Sequence, residues 1–448
     1  MASLFSVLLC FAGLGASPAS QPIGDKEIVL KETQDRGTSI EVTSQVNIQG
    51  KLTEFKPDGK QGESTAIWAS GSSRYRERIL DAREGSKETV TARRYLTAAL
   101  DKKKAESKQR IVLRPAVERV VCRHVNEHTT IFSPDGPLIA PELDLVQADA
   151  FTASFAGLLP EMPVKIGDQW SAQSVASAEL TGVEPIQSGA LSCTLREVKS
   201  SAEATVARVN LSGTLTGPTD QGPTRMTIDG HFLFDLDTQL ITYILVRVES
   251  DILDPAGRVS GQLEGRYEIT RRPAIDDPRL TDAALAELNL KPTAESTALL
   301  FESTELGLRM IYPRNWEMTS VMKNVLQLDE PTGGSMRLTI DTTPAPTADR
   351  LRGELVNWLK SQKAKVGELS AVEQIALSGA RKAERFSVRA VLGDKAKEWT
   401  YLLIRREDRT ATVAVNLIDE RTDALKDDVL FIAGRLEFLP KAQLPKSQ

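Results

Sequence analysis

The sequence predicts an α+β protein: a strongly curved antiparallel β-sheet or partial barrel comes first, and an α/β sandwich built on a second antiparallel sheet follows. Three observations predict it. Before residue 272, long stretches alternate apolar and polar residues, the pattern of half-buried strands. The breaks between them are short and rich in Gly, Pro, Asp and Ser, which is turn chemistry. After residue 299, strand-like runs are interrupted by two separated stretches of helical spacing.

In chain order the first element is an address. Residues 4–14 are uncharged and apolar, and Ser17 and Ala19 carry the small-residue spacing of a signal-peptidase site. The run is shorter than the about 20 residues needed to span a bilayer. Residues 1–19 therefore read as a cleaved export signal, with a membrane anchor as the alternative. The n-region carries no Lys or Arg, and Cys10 follows Leu8 and Leu9 where a lipidation site would have small residues. Mature sequence is expected to begin near Ser20 or Gln21, with no integral span left, in the periplasm or outside the cell.

Residues 20–272 are expected to form the curved β-rich domain. Val42, Val46, Ile48 and Leu52 fall on one face of a strand, and Glu41, Thr43, Gln45, Asn47 and Lys51 on the other. Thr205, Ala207, Val209, Leu211 and Leu215 alternate with Arg208, Asn210 and Ser212; Val259, Leu263, Tyr267 and Ile269 alternate with Arg258, Gln262, Glu264, Arg266 and Glu268. One wet face and one dry face mark antiparallel sheet. Turn chemistry at 199–201, 217–223, 235–237 and 254–257 joins the later strands into a meander. Gly50, Gly213, Gly230, Gly261 and Gly265 fall inside strands, where glycine marks bulges or bends, and a repeatedly bent sheet curls round its apolar face. Any apolar cavity is expected on that concave side, at Ile244, Val246, Leu263 and Tyr267. Two helices are expected against the sheet. One covers residues 92–104, with the stripe Tyr95, Leu96, Ala99 and Leu100, and one follows Pro141, with Leu143, Val146 and Ala150 on one side.

Alternation stops at Arg271-Arg272-Pro273. Residues 273–298, polar and punctuated by Pro278 and Pro292, read as a linker with a short helix over 282–290. Residues 299–440 form the second domain. Its strands are expected at 306–312, 325–328, 335–341, 385–391, 398–405, 411–418 and 435–439. Leu351, Leu355, Trp358 and Leu359 give the i, i+4, i+7, i+8 stripe of a helix capped by Thr347, and place Trp358 in the core. A second helix starts near Thr422, with Leu425, Val429 and Ile432 buried and Gly434 at its end. Residues 441–448 are a tail.

The second domain opens Gly307-Leu308-Arg309-Met310-Ile311-Tyr312-Pro313-Arg314-Asn315-Trp316-Glu317, a hydrophobic strand ending in Tyr-Pro-x-x-Trp. With the later order of strands and helices, this makes residues 299–440 resemble the PsbP-like proteins of the photosynthetic oxygen-evolving complex and their bacterial relatives. The resemblance implies an accessory or assembly role and brings no catalytic residue to this chain. Residues 25–272 resemble β-rich regions of uncharacterised bacterial secreted proteins, on Leu158-Leu159-Pro160, on Val164-Lys165-Ile166-Gly167-Asp168-Gln169-Trp170 and on Phe132-Ser133-Pro134-Asp135-Gly136-Pro137-Leu138. That likeness implies export and no activity. The curved sheet is also similar, in architecture alone, to the half-barrel of bacterial lipoprotein carriers.

A net charge of −5 from 56 basic and 61 acidic residues gives no global field for nucleic acid or anionic lipid. Lys102-Lys103-Lys104 and Arg405-Arg406 have acids beside them and read as solvated faces or turns. Cys122 and Cys193 lie in strand-like stretches and form either one bridge in an oxidising compartment or two buried thiols. His124-Val125-Asn126-Glu127-His128 matches H-x-x-E-H. On a helix the two imidazoles would share a zinc ion beside a water-activating glutamate. The flanking Val120, Val121, Thr129, Thr130, Ile131 and Phe132 instead favour a hairpin turning at 125–127. Glu142, Asp144 and Asp149 are the nearest downstream acids. Neither G-x-S-x-G nor a phosphate-binding Gly-Lys-Ser/Thr occurs.

No catalytic, cofactor-binding or metal residue is assigned on these grounds. The function expected is that of an exported, non-catalytic protein binding an apolar ligand or a protein partner in the cell envelope. A metal-dependent hydrolase using His124, Glu127 and His128 is one alternative, and a structural envelope component without ligand is another.

Overall fold

The computed structural model describes residues 26–55, 61–82, 88–125, 128–219, 221–341, 346–377, 382–406, 409–418 and 422–440. The export signal and the tail lie outside the described residues. Strands β1 (Ser39–Phe55), β2 (Gln61–Ala82), β3 (Glu88–Lys104) and β4 (Ser107–Val112) come first. Strands β5 (Arg119–Val125) and β6 (His128–Phe132), helix α1 (Ala140–Gln147) and a 3₁₀ segment (Thr152–Leu158) follow. Next are β7 (Gln169–Ser171), α2 (Ser174–Thr181), β8 (Ser188–Ser200), β9 (Thr205–Thr219), β10 (Gly222–Asp235), β11 (Leu240–Leu253), β12 (Val259–Pro273) and α3 (Asp282–Ala286). The chain continues through β13 (Leu299–Ser303), β14 (Leu308–Tyr312), β15 (Glu317–Met322), β16 (Val325–Glu330), β17 (Gly334–Asp341) and α4 (Ala348–Ser361). It ends with β18 (Lys365–Leu369), β19 (Glu373–Ala376), β20 (Lys382–Leu392), β21 (Lys395–Arg405), β22 (Thr410–Ile418), α5 (Thr422–Gly434) and β23 (Glu437–Phe438).

The expected α+β class is overturned. Among the described residues strands take 57% and helices 15%, the sheets are antiparallel, and none closes into a barrel. Much of the excess strand lies where the sequence shows weak alternation. The inward face of β2 reads Ile67, Ala69, Gly71, Ser73, Tyr75, Glu77 and Ile79, with small and polar residues where a strand pattern wants large apolar ones. The helix expected over 92–104 is instead β3. Tyr95 packs against Tyr75 with ring centroids 5.1 Å apart and the rings tilted at 44°, and burial of Thr91, Ala92 and Arg93 on both faces erases the period-two signal. Sheet pairing overrides the local helical spacing.

The chain divides into two compact units. The first comprises Met1–Thr91, Tyr95–Ile111 and Ala148–Asp277, the second Ala92–Arg94, Val112–Gln147 and Pro278–Gln448.

In the first unit the strand order is β3-β2-β1-β12-β11-β10-β9-β8-β7, with β4 added on β3. The expected meander of β8 to β12 forms, and β12 returns to pair with β1, from Ile40 opposite Pro273 to Leu52 opposite Gly261. Val42, Val46, Leu211, Phe232, Ile244, Val246 and Ile269 build the buried face, with Phe155, Leu158, Ala176 and Leu180 from the 3₁₀ segment and α2. Of the five strand glycines, only Gly261 adjoins a register shift. The other four sit in unbroken ladders. Gly230 is required by close approach, because a Cβ there would lie 2.1 Å from the Leu245 carbonyl oxygen.

Two ion-pair arrangements hold the first unit's edges of burial. Glu32 and Arg271 form a buried pair at 2.6 Å, with Arg271 also donating to the Ile241 carbonyl. On the opposite face, burial raises the Glu41 carboxyl, but hydrogen bonds from Arg272 and Arg74 outweigh this and hold it below its ordinary value of 4.5.

In the second unit β5 and β6 form a hairpin, β13, β14 and β23 form a small sheet, and a larger sheet runs β15-β16-β17-β22-β21-β20-β18, with β19 on β20. Leu355 and Leu359 of α4 pack on Phe386, Val388, Trp399 and Leu403. Thr347 caps α4 by accepting the Arg350 N–H at 3.3 Å. Trp358 departs from its expected core position: it is 47% exposed, touching Trp399 edge-on at 6.4 Å, because the seated stripe narrows to Leu355 and Leu359. Trp316 is buried and donates from Nε1 to Asp428 of α5 at 3.1 Å. Helix α1 ends before Ala150, α3 stops at Ala286 short of residue 290, and the last strand shrinks to two residues.

Candidate functional site

On the inward face of β1, β12 and β11, three cross-strand rows run side by side: Ile48–Gly265–Val248, Gly50–Leu263–Ser250 and Leu52–Gly261–Ile252. Each row contains one glycine, but Leu263 fills the space at Gly50, and Leu52 and Ile252 fill that at Gly261, so of the three only Gly265 borders open space. Beside it lies a hollow of about 200 Å³, whose apolar lining is Ile48, Met226, Val248, Ile252, Leu263 and Tyr267, with Ser250 among them. Its rim is polar, from Thr181 and Gly182 at the end of α2 and Thr219, Gln221 and Thr224 at the β9–β10 turn. Gly182 takes the left-handed conformation that ends α2, with φ 67°. A Cβ on Gly265 would meet the Tyr267 ring first, at 3.2 Å, and not backbone.

Thr219 and Thr224 spend their hydroxyls on each other at 3.0 Å and on the Gly222 carbonyl. Burial pushes the Tyr267 hydroxyl pKa up, so it stays a neutral donor, and it hydrogen-bonds to none of the described residues. A largely apolar floor with two unspent hydroxyls, those of Tyr267 and Ser250, suits an apolar body carrying a small polar group. Of the four residues expected on a concave apolar side, Leu263 and Tyr267 line the hollow. Ile244 and Val246 lie on the same sheet face and are fully buried in the core.

The H-x-x-E-H segment is strand, not helix. His124 stands opposite Thr129 and Val125 opposite His128. Directly opposed residues share a face and successive residues alternate, so the two histidines project from opposite faces of the hairpin. One ion cannot take both. His124 Nδ1 instead meets Thr129 Oγ1 at 2.9 Å, His128 is exposed, and Glu127 lies outside the described residues. Glu142 is engaged by Arg114 at 2.6 Å, Asp144 is exposed, and Asp149 accepts from Ser73 at 2.5 Å. Among the described residues no group of three or more His, Cys, Asp and Glu could hold a metal ion.

Cys122 and Cys193 are both free and buried, and burial pushes the Cys193 thiol up to about 12. Trp170 donates to the Leu158 carbonyl at 2.8 Å and Trp399 is buried. Neither these nor Trp316 and Trp358 line the hollow. Gly265, read from sequence as a bend, is the strand glycine that borders the hollow. Only pairing with β11 and β1 shows that it faces Ile48 and Val248 there. Among the described residues no helix is long and apolar enough to cross a membrane.

No family model and no curated protein matches the sequence. Among solved structures, the chain is similar to cyanobacterial PsbP (CyanoP) from Synechocystis sp. PCC 6803, at 14% identity over 32% of this chain and 92% of that one, with a TM-score of 0.26. It is similar to the Saccharomyces cerevisiae Ran-binding protein Mog1p at 8% identity over 32% of this chain and 95% of that one, with a TM-score of 0.23. A third likeness, to OccK5 of Pseudomonas aeruginosa, has 8% identity over 85% of this chain and 98% of that one, with a TM-score of 0.14. At TM-scores this low, none of the three bears on what the chain does.

Proposed function

We propose that this chain is an exported, non-catalytic binding protein of the cell envelope that takes a small apolar ligand, or the end of a longer one, in the hollow of its first unit. The observation that carries this reading is the largely apolar hollow beside Gly265, lined by Ile48, Met226, Val248, Ile252, Leu263 and Tyr267. Its volume, about 200 Å³, exceeds that of cavities of about 150 Å³ known to stay dry and admit benzene-sized guests. Tyr267 and Ser250 offer the guest hydrogen bonds. Export rests on the uncharged apolar run and small-residue site in residues 1–19. On this reading residues 20–272 carry the ligand, residues 273–298 connect, and residues 299–440 serve a protein partner.

Native mass spectrometry of freshly purified full-length chain tests the proposal. Retained apolar mass is expected in the native protein and is expected to disappear in Gly265→Val, whose side chain fills the gap. Clean apo mass from several preparations, together with no uptake of added benzene or decanol, would overturn it.

A further inference from the structure

The outward face of the same strands holds a second hollow of a different kind. It measures about 640 Å³, and its lining includes Gln49, Trp68, Arg225, Asp251, Gln262 and Glu264. An adjoining hollow of about 340 Å³ shares Gln49, Trp68 and Glu264 and adds Asn47, Arg247 and Arg266. Trp68 is 43% exposed at the middle of β2, opposite Gln49, with its indole on a face of polar side chains. A large apolar ring left open beside convergent polar groups is the usual composition of a ligand site.

The charges define what fits. Arg247 stands directly opposite Arg266, and Glu249 directly opposite Glu264. Like charges facing each other across a sheet oppose its stability; Asp229, opposite Arg247 on β10, offsets the arginine row, and no opposite charge stands across from Glu249, whose β10 neighbour is Thr227. Arg266 turns to Glu268 at 2.8 Å and Glu264 accepts from Gln49 at 3.3 Å. Neither Arg247 nor Glu249 pairs with any described residue, which leaves a free donor and a free acceptor beside the indole. Cations and carboxylates alternate in rows across this face, so a ligand of one sign meets repulsion wherever it lies. A neutral ligand rich in hydroxyls does not. Each hydroxyl both donates and accepts, and the C–H face of a pyranose ring presents the flat apolar patch that an exposed indole lacks.

We propose that this face binds a short neutral glycan, one sugar ring lying on Trp68 and its hydroxyls bridging Gln49, Glu264, Arg247 and Glu249. The site stands apart from the apolar hollow, on the other side of the sheet.

The test titrates the full chain with maltotriose, cellotriose and triacetylchitotriose. Binding is read by calorimetry and by the ¹⁵N-indole resonance of Trp68, assigned through Trp68→Phe. At least one sugar is expected to shift that resonance saturably and to bind with an affinity little changed by salt. Trp68→Ala and Gln49→Ala, both at exposed positions, are expected to weaken binding at least about tenfold while far-UV circular dichroism stays unchanged. No shift with any of the three at tens of millimolar would overturn the proposal. So would affinity unaffected by both substitutions, or binding abolished by moderate salt.

Discussion

The two faces of the β1–β12–β11 strands place adjacent residues in opposite chemistry. Gly265 opens the apolar hollow while its neighbours Glu264 and Arg266 border the polar one. On the inner face, space lies beside Gly265, where one side chain is absent. On the outer face, it lies among side chains that are present, long and imperfectly matched. The difference teaches that a single ladder register builds both sites, so one register slip would destroy both at once.

The faces also treat charge differently, and the largest expected effect follows from that. Removing Glu32 in Glu32→Ala leaves the buried Arg271 guanidinium without its carboxylate, which costs roughly 3–5 kcal/mol. Denaturant midpoints read this, and a loss under about 1 kcal/mol would mean that the inner face tolerates a lone charge. Next comes Gly230→Ala, whose Cβ meets the Leu245 carbonyl oxygen at 2.1 Å. Forcing strands apart at this point is expected to cost roughly 1–3 kcal/mol. Unchanged stability would show that the ladder bends freely there.

The smallest effect belongs to the outer face. Glu41→Gln is expected to cost under about 1 kcal/mol at neutral pH, because the Arg74 and Arg272 partners are largely in water. Since the Glu41 pKa is lowered on folding from 4.5, its contribution is present above that value and lost as pH falls through the lower one. Urea unfolding of wild type and Glu41→Gln between about pH 6 and about pH 3 is therefore expected to show the gap between them closing on acidification. A gap that widens with acid would reverse the assignment.

Much of the first unit was legible because its strands alternate cleanly. The faces of β1, β9 and β12 follow from Val42 to Leu52, Ala207 to Leu215 and Leu263 to Ile269, and turn residues marked the meander between β8 and β12. Helix α4 and its Thr347 cap were legible for the same reason, since spacing and cap agree. Strand β2 was not, as Gly71, Ser73 and Glu77 occupy its inward face. Segment 92–104 was misread because Tyr95, Leu96, Ala99 and Leu100 satisfy helical spacing while β3 is held by its neighbours. At the sites, Leu263 and Tyr267 carried a signal in their phase. Trp68 carried none, since among its apolar neighbours Ala66, Ile67 and Ala69 nothing marks it as exposed, and no single strand encodes that Gln49 will stand opposite it.

The return of β12 to β1 has a consequence in time. Glu32 and Arg271 are 239 positions apart in the chain, and β1 gains its second neighbour only when the last strand of the unit arrives. Closing so long a loop is slow relative to local hairpin formation. During synthesis, the β1 edge and the Glu32 carboxylate wait unpaired, and the interval before β12 emerges is when this chain is most exposed to self-association.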